Sequence, residues 1–305
     1  MIASLLLGQI VVTPKDDLAI SSNFKVKPGI YRLDDVKGDG LFKVTKDGIK
    51  IDFTGAKFIG KGTLMNLSGR QRVHIVGLHG QGYEGGLKVS ACSKITIEDA
   101  DARLKLNEST KCDILFTKSE ALSANKCDDL FALGIETKSA VVLSNSDRVL
   151  LGYVKAPGFR LDTVTVGTLF RVESNQTPVG AELVNCTSIH SQYCDFLQGD
   201  VGIRIQGGED NWVLNSNIRN HRIGVELVKT REAVIGANTI RDCSAYAVEV
   251  SGAGDIYFES NAVKNAPIPP TFSPLEEHSE EYHHREWLRT VVDRAKELWQ
   301  KRLGR

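Results

Sequence analysis

The chain has 305 residues, with 38 basic and 38 acidic side chains. A net charge of zero argues against a general nucleic-acid binder, which would carry a net basic face. No stretch of 18 consecutive apolar residues occurs, so no segment reads as a transmembrane helix.

Residues 1–19 form an N-terminal segment. Met1 to Gln9 is apolar and ends in small or polar residues. It reads as a cap strand, or as the remnant of a secretory signal without its positive n-region.

From residue 20 to 266 an apolar–variable–apolar phrase recurs. It reads Phe42-Lys43-Val44, Met65-Asn66-Leu67, Leu87-Lys88-Val89, Leu104-Lys105-Leu106, Leu122-Ser123-Ala124, Val141-Val142-Leu143, Phe170-Arg171-Val172, Ile203-Arg204-Ile205, Val225-Glu226-Leu227 and Val248-Glu249-Val250. The central residues are separated by 23, 22, 17, 18, 19, 29, 33, 22 and 23 positions. A short strand returning about every 20 residues is the mark of a solenoid. Within each phrase the flanking residues point to one face and the central residue to the other. A second strand follows in most units, as in Lys94-Ile-Thr-Ile97, and a third starts at Ile218, Ile240 and Val263.

Ser216, Asn238 and Asn261 precede those third strands at equivalent places, where side-chain amides can bond along the stack. Cys92, Cys112 and Cys127 read as a ladder of buried thiols, followed by Ser146. The six cysteines match neither a compact disulfide framework nor a paired zinc motif. The two long steps, around Asn175-Gln-Thr-Pro178, predict loops that bulge from the barrel.

Residues 267–275 are a proline-rich linker. Residues 276–305 read as an amphipathic helix with Trp287, Leu288, Val291, Val292, Ala295, Leu298 and Trp299 along one face. It would cap the final coils, because an open last rung is a sticky edge, or serve as a partner helix for oligomerisation.

These features predict an all-β chain: a single-stranded parallel β-helix solenoid of about ten coils with a C-terminal amphipathic α-helix. The pattern resembles the right-handed parallel β-helix, or pectin-lyase-like, superfamily, and this resemblance implies a right-handed sense for the coil. Val26-Lys-Pro-Gly-Ile-Tyr-Arg-Leu33 and the run Asp47 to Gly60 look like the entry coils of such proteins. The resemblance covers about residues 20–266 and implies fold more than function. Its enzymes act on acidic polysaccharides as lyases, often with calcium, or as hydrolases with paired carboxylates. Their motifs are not reproduced: Gly77-Leu-His-Gly80 and Arg204-Ile-Gln206 lie in different coils without acid pairs, and Asp128-Asp129 sits at a turn. The hydrolase reading is therefore disfavoured.

The outward central residues, read down the stack, form one ladder from Lys43 to Glu249, basic for most of its length. A cationic groove suits a uronate polysaccharide, since Lys and Arg bind carboxylates. Lys88 and Lys105 would bind substrate. Arg204 and Arg171 would act as carboxylate clamp or base, with His221 or His190 as alternative acid–base groups. Glu226 and Glu249 would hold a sugar hydroxyl or, with Asp200, a cation. No motif requires a cofactor, and Ca2+ is the one those carboxylates would suit. Trp212 and Tyr257 would stack on sugar rings or pack under the C-terminal helix. The same charged residues are also what an ordinary solvated solenoid surface uses.

The expected function is an extracytoplasmic carbohydrate-interacting protein, secreted, periplasmic or on the cell surface, with lyase or epimerase chemistry on acidic glycans as its catalytic form. The alternative is a non-catalytic structural, adhesive or glycan-binding surface module.

Overall fold

A computed structural model describes residues 10–267 and 285–304. Apart from the helix Arg285–Arg302, its regular elements are short strands, wound into a parallel solenoid of about 11 turns. Residues 1–9 and 268–284 lie outside this description, and with them the apolar start, most of the expected linker and the first part of the expected helix. Among the described residues no helix is long and apolar enough to cross a membrane. The chain divides into two compact units, residues 1–120 and 121–305.

In the first unit Ile10–Val12 pairs in parallel with Phe24–Val26. Leu18–Ile20 lies beside Phe42–Val44, which leads rung by rung through Met65 and Leu87 to Leu104. The flanking residues of each phrase are buried and the central ones face outward, as the period-2 pleat requires. Phe42, Phe53 and Phe58 meet edge to face inside these coils, with ring centroids 5.0–5.8 Å apart.

In the second unit the rungs run Ser123, Val142, Arg160, Glu182, Arg204, Glu226 and Glu249. This corrects the expected register. The 29- and 33-residue steps are three ordinary steps through Arg160 and Glu182, so the expected bulging loops do not exist. The misleading phrase was Phe170-Arg171-Val172. Phe170 ends a strand of a different sheet, where Thr168 pairs with His190, and Arg171 occupies the corner after it at φ 53°. Phe170 is buried because the C-terminal helix covers that outer surface, so it mimics an inward rung residue.

The corners are tied by side chains. Asn238 accepts from the Ser216 amide at 2.9 Å and donates to the Val213 carbonyl at 2.8 Å, and Asn261 repeats the arrangement one coil on. The expected Ser216–Asn238–Asn261 ladder is therefore present. The cysteine ladder differs: Cys112 pairs with Ile95, whereas Cys92 stands beside Ser109 and Cys127 beside Ser146. Cys and Ser thus alternate at a position that needs one small donor, and each donates to the carbonyl two residues back. All six cysteines are buried and none is in a disulfide among the described residues, and burial raises Cys186 to about 11 and Cys194 to about 12.

The C-terminal helix does not lie over the final coils, where capping would have put it. It packs on the outer face of the sheet containing Asp128–Leu133, Asp147–Gly152 and Gly167–Phe170. Ala295 sits against Gly152, Trp299 stacks on Tyr153 with centroids 4.4 Å apart, and Arg294 stands 4.1 Å from the Phe131 ring. The outward residues Phe131 and Leu150, apolar where a free surface would be polar, exist to receive it.

Candidate functional site

The solenoid gives each outward side chain a fixed neighbour about 4.8 Å away on the next rung, so side-chain identity down a column decides the electrostatics. In the first unit the column reads Lys43, Asn66, Lys88 and Lys105. Lys43 is neutralised by Asp17 and Asp39, each at 2.6 Å. Lys88 and Lys105, side by side, have no ion-pair partner among the described residues. Two positions along each strand, on the same face, Ser68, Ser90 and Asn107 form a parallel polar column. The patch therefore joins two unneutralised ammonium groups to a row of short hydroxyl and amide side chains.

The second unit behaves differently. From Arg160 to Glu226 its column alternates in sign. Arg160 bonds Glu182, and Arg204 bonds Glu226 through Nε and Glu182 through Nη1 at 3.5 Å. Burial pulls the Arg204 guanidinium down, but the carboxylates of Glu226 and Glu182 outweigh it and hold the group above its ordinary value. A guanidinium so engaged is neither a base nor a free carboxylate clamp. Arg160 and Glu182 were missed by sequence reasoning, although Phe159-Arg160-Leu161 and Ala181-Glu182-Leu183 carry the same phrase as the other rungs.

Arg171 does not belong to this column. Its guanidinium lies 5.7 Å from the Tyr153 ring, 5.8 Å from Phe170 and 5.9 Å from Tyr193, a corner stack on a different edge of the coil. The expected Arg171–Arg204 pair is thus not formed. His221 is turned inward. Its Nε2 lies 3.0 Å from the Phe196 carbonyl, burial lowers its pKa, and its Nδ1 has no hydrogen-bond partner among the described residues. A ring enclosed in this way does not reach a polymer on the surface.

Asp200 pairs with Arg222 at 2.7 Å, which holds its carboxyl below the usual range. Glu226 and Glu249 are register neighbours, but Glu226 is committed to Arg204. Among the described residues no three His, Cys, Asp or Glu side chains gather as a metal set, so Glu226, Glu249 and Asp200 do not make the expected cation site.

Trp212 and Tyr257 are two coils apart in one column of another sheet, with Val234 between them. They lie on a different sheet from the Arg–Glu column. Trp212 stacks on His190 with centroids 4.9 Å apart and planes 6° from parallel, and its Nε1 donates to Asp210. Val234 occupies the next rung, so the indole is held within its own column and is not an open platform.

The fold and this arrangement of outward columns define a right-handed parallel β-helix. The sequence model described as "Right handed beta helix region" matches residues 167–267. No curated protein matches the sequence. Among solved structures, the Azotobacter vinelandii mannuronan C-5 epimerase AlgE4 A-module is similar at 13% identity, covering 85% of this chain and 91% of that one, with a TM-score of 0.50. PfbA, a surface adhesin of Streptococcus pneumoniae, is similar at 10% identity over 81% of this chain and 83% of its own, also with a TM-score of 0.50.

Proposed function

We propose that this chain is a carbohydrate-binding β-helix of the cell exterior that holds an acidic, uronate-bearing polysaccharide along the rungs of Lys88 and Lys105. The observation that carries this reading is the pair of adjacent outward lysines with no acidic partner among the described residues. Like charges on neighbouring rungs repel, and a ligand carboxylate placed between them removes that repulsion while gaining two charge-assisted hydrogen bonds. Ser90 and Asn107 beside them offer partners for sugar hydroxyls. Of the two similar structures, one is named for epimerising mannuronan and the other as a surface adhesin, which is consistent with either a catalytic or an adhesive role.

Binding without turnover is favoured over lyase or epimerase chemistry. Arg204 is locked between two glutamates and His221 is buried, so the residues first suited to proton transfer are engaged elsewhere. Incubation of the full chain with polygalacturonate, alginate and hyaluronan, with calcium or chelator, tests this. Binding is expected with no rise in ultraviolet absorbance from unsaturated product and no change in the C5 proton signals by NMR. Either spectroscopic change would establish catalysis and overturn the non-catalytic reading.

A further inference from the structure

The C-terminal helix meets its sheet unevenly. Towards its end, small faces small: Ala295 is fully buried against Gly152, which brings the two backbones close. Towards its start, Leu288 and Val292 face Thr168, His190, Gln192 and Trp212. The stacked imidazole and indole stand on the outer face of the sheet there. Between them and the helix lies a cleft of about 760 Å³. That volume lies in the range of small-molecule sites, roughly 300–1,000 Å³.

The cleft has a consistent chemistry. Its apolar walls are Leu288, Val292 and the edge of Trp212, while Arg289, Lys296 and Asp293 stand at its rim on the helix. Lys296 reaches Asp293 at 3.4 Å, so that carboxylate is neutralised within the helix. Arg289 has no ion pair among the described residues, and the Gln192 amide makes no hydrogen bond among them. The lining thus offers an uncompensated cation and an unused amide donor beside an apolar slot bounded by an aromatic edge.

We propose that this cleft is a second binding site, for a small aromatic carboxylate. The acid group would take the Arg289 guanidinium, with Lys296 and the Gln192 amide beside it. The flat ring would enter between Leu288 and Val292 on one side and the indole edge on the other, since aromatic pairs favour edge-to-face contact. A flat ring suits the cleft better than a puckered sugar, which would stack on an open indole face, because both broad faces of Trp212 are occupied by its own column. The site is independent of the lysine patch.

The test is titration of the full chain with benzoate, followed through the assigned Trp212 indole NMR signal, with benzyl alcohol and glucuronate as comparison probes. Saturable shifts are expected with benzoate, with affinity falling about tenfold for benzyl alcohol and for the R289Q/K296Q variant. The K88A/K105A variant is expected to bind benzoate unchanged, which separates this site from the polysaccharide patch. No saturable benzoate shift, or equal affinity in R289Q/K296Q, would overturn the proposal. Glucuronate binding as tightly as benzoate would overturn the aromatic assignment.

Discussion

Ala295 of the C-terminal helix stands against Gly152 of the sheet, so that a Cβ built on the glycine would lie 3.6 Å from the alanine Cβ and 3.1 Å from side-chain carbons of Leu133 and Leu150. The contact sets how closely the helix approaches, because a side chain longer than a methyl at position 152 would run into Ala295. Gly152→Val is expected to force the helix outward at an overpacking cost of about 1–3 kcal/mol. Faster amide exchange across residues 285–302, with little change in the rungs, would show it. Unchanged exchange would mean that Tyr153–Trp299 stacking alone holds the helix.

Arg204 is the shared counter-ion of Glu182 and Glu226. Its side chain is 27% exposed and theirs 20% and 17%, so solvent screens the cluster only in part. Arg204→Ala leaves two carboxylates on rungs flanking an empty one and is expected to cost about 1–3 kcal/mol in urea unfolding. Arg204→Lys would recover part of this, since an ammonium supplies charge without the planar fork. Full stability of the alanine variant would make the column ordinary surface.

His221 gives the fold a dependence on pH. Its burial lowers the folded-state pKa below the unfolded value near 6.5, so the unfolded chain binds the proton more readily. Its neutral form is fully tolerated above that value. Stability is then lost as pH falls through the window beneath it, towards the lowered folded value. The urea midpoint is expected to fall between pH 7.5 and pH 5, and His221→Leu should flatten that slope whatever it does to stability at pH 7.5. An equal slope in the variant would assign the acid sensitivity to other groups.

The thiols are expected to be inert. With Cys186 raised to about 11 and Cys194 to about 12, almost no thiolate exists at pH 8, and neither side chain is accessible. Native protein should resist a thiol reagent that modifies all six cysteines after unfolding. Cys127→Ser should cost less than about 1 kcal/mol, because Ser146 fills the same place one coil on with the same bond to the carbonyl two residues back. Rapid labelling of native protein would contradict this packing.

Much of the coil was legible because stacking imposes it: every rung must bury two apolar residues and expose one, whatever the protein does. The amide ladder through Asn238 and Asn261 was legible for the same reason. The register between Val142 and Arg204 was not. Phe170, apolar on an outer surface, carries the same local signal as an inward residue, and only the docked helix distinguishes the two. The helix position was equally hidden, since its receiving residues Phe131 and Leu150 look like core in the sequence. Of the candidate site, Lys88 and Lys105 were visible as rung centres. Glu226 was visible too, as the rung after Arg204, whereas Glu182, the other partner of Arg204, came from a shifted rung and the partners of Lys43 from loops, and so were not.

The most direct measurement is calorimetric titration of polygalacturonate into the full chain and into K88A/K105A, at low and at high salt. Binding by the parent chain is predicted, weakened about tenfold or more in the double variant and reduced by salt, as exposed ion pairs require. Equal affinity in the two proteins, or no binding to acidic polysaccharides by the parent chain, would contradict the assignment of the lysine rungs as the binding surface.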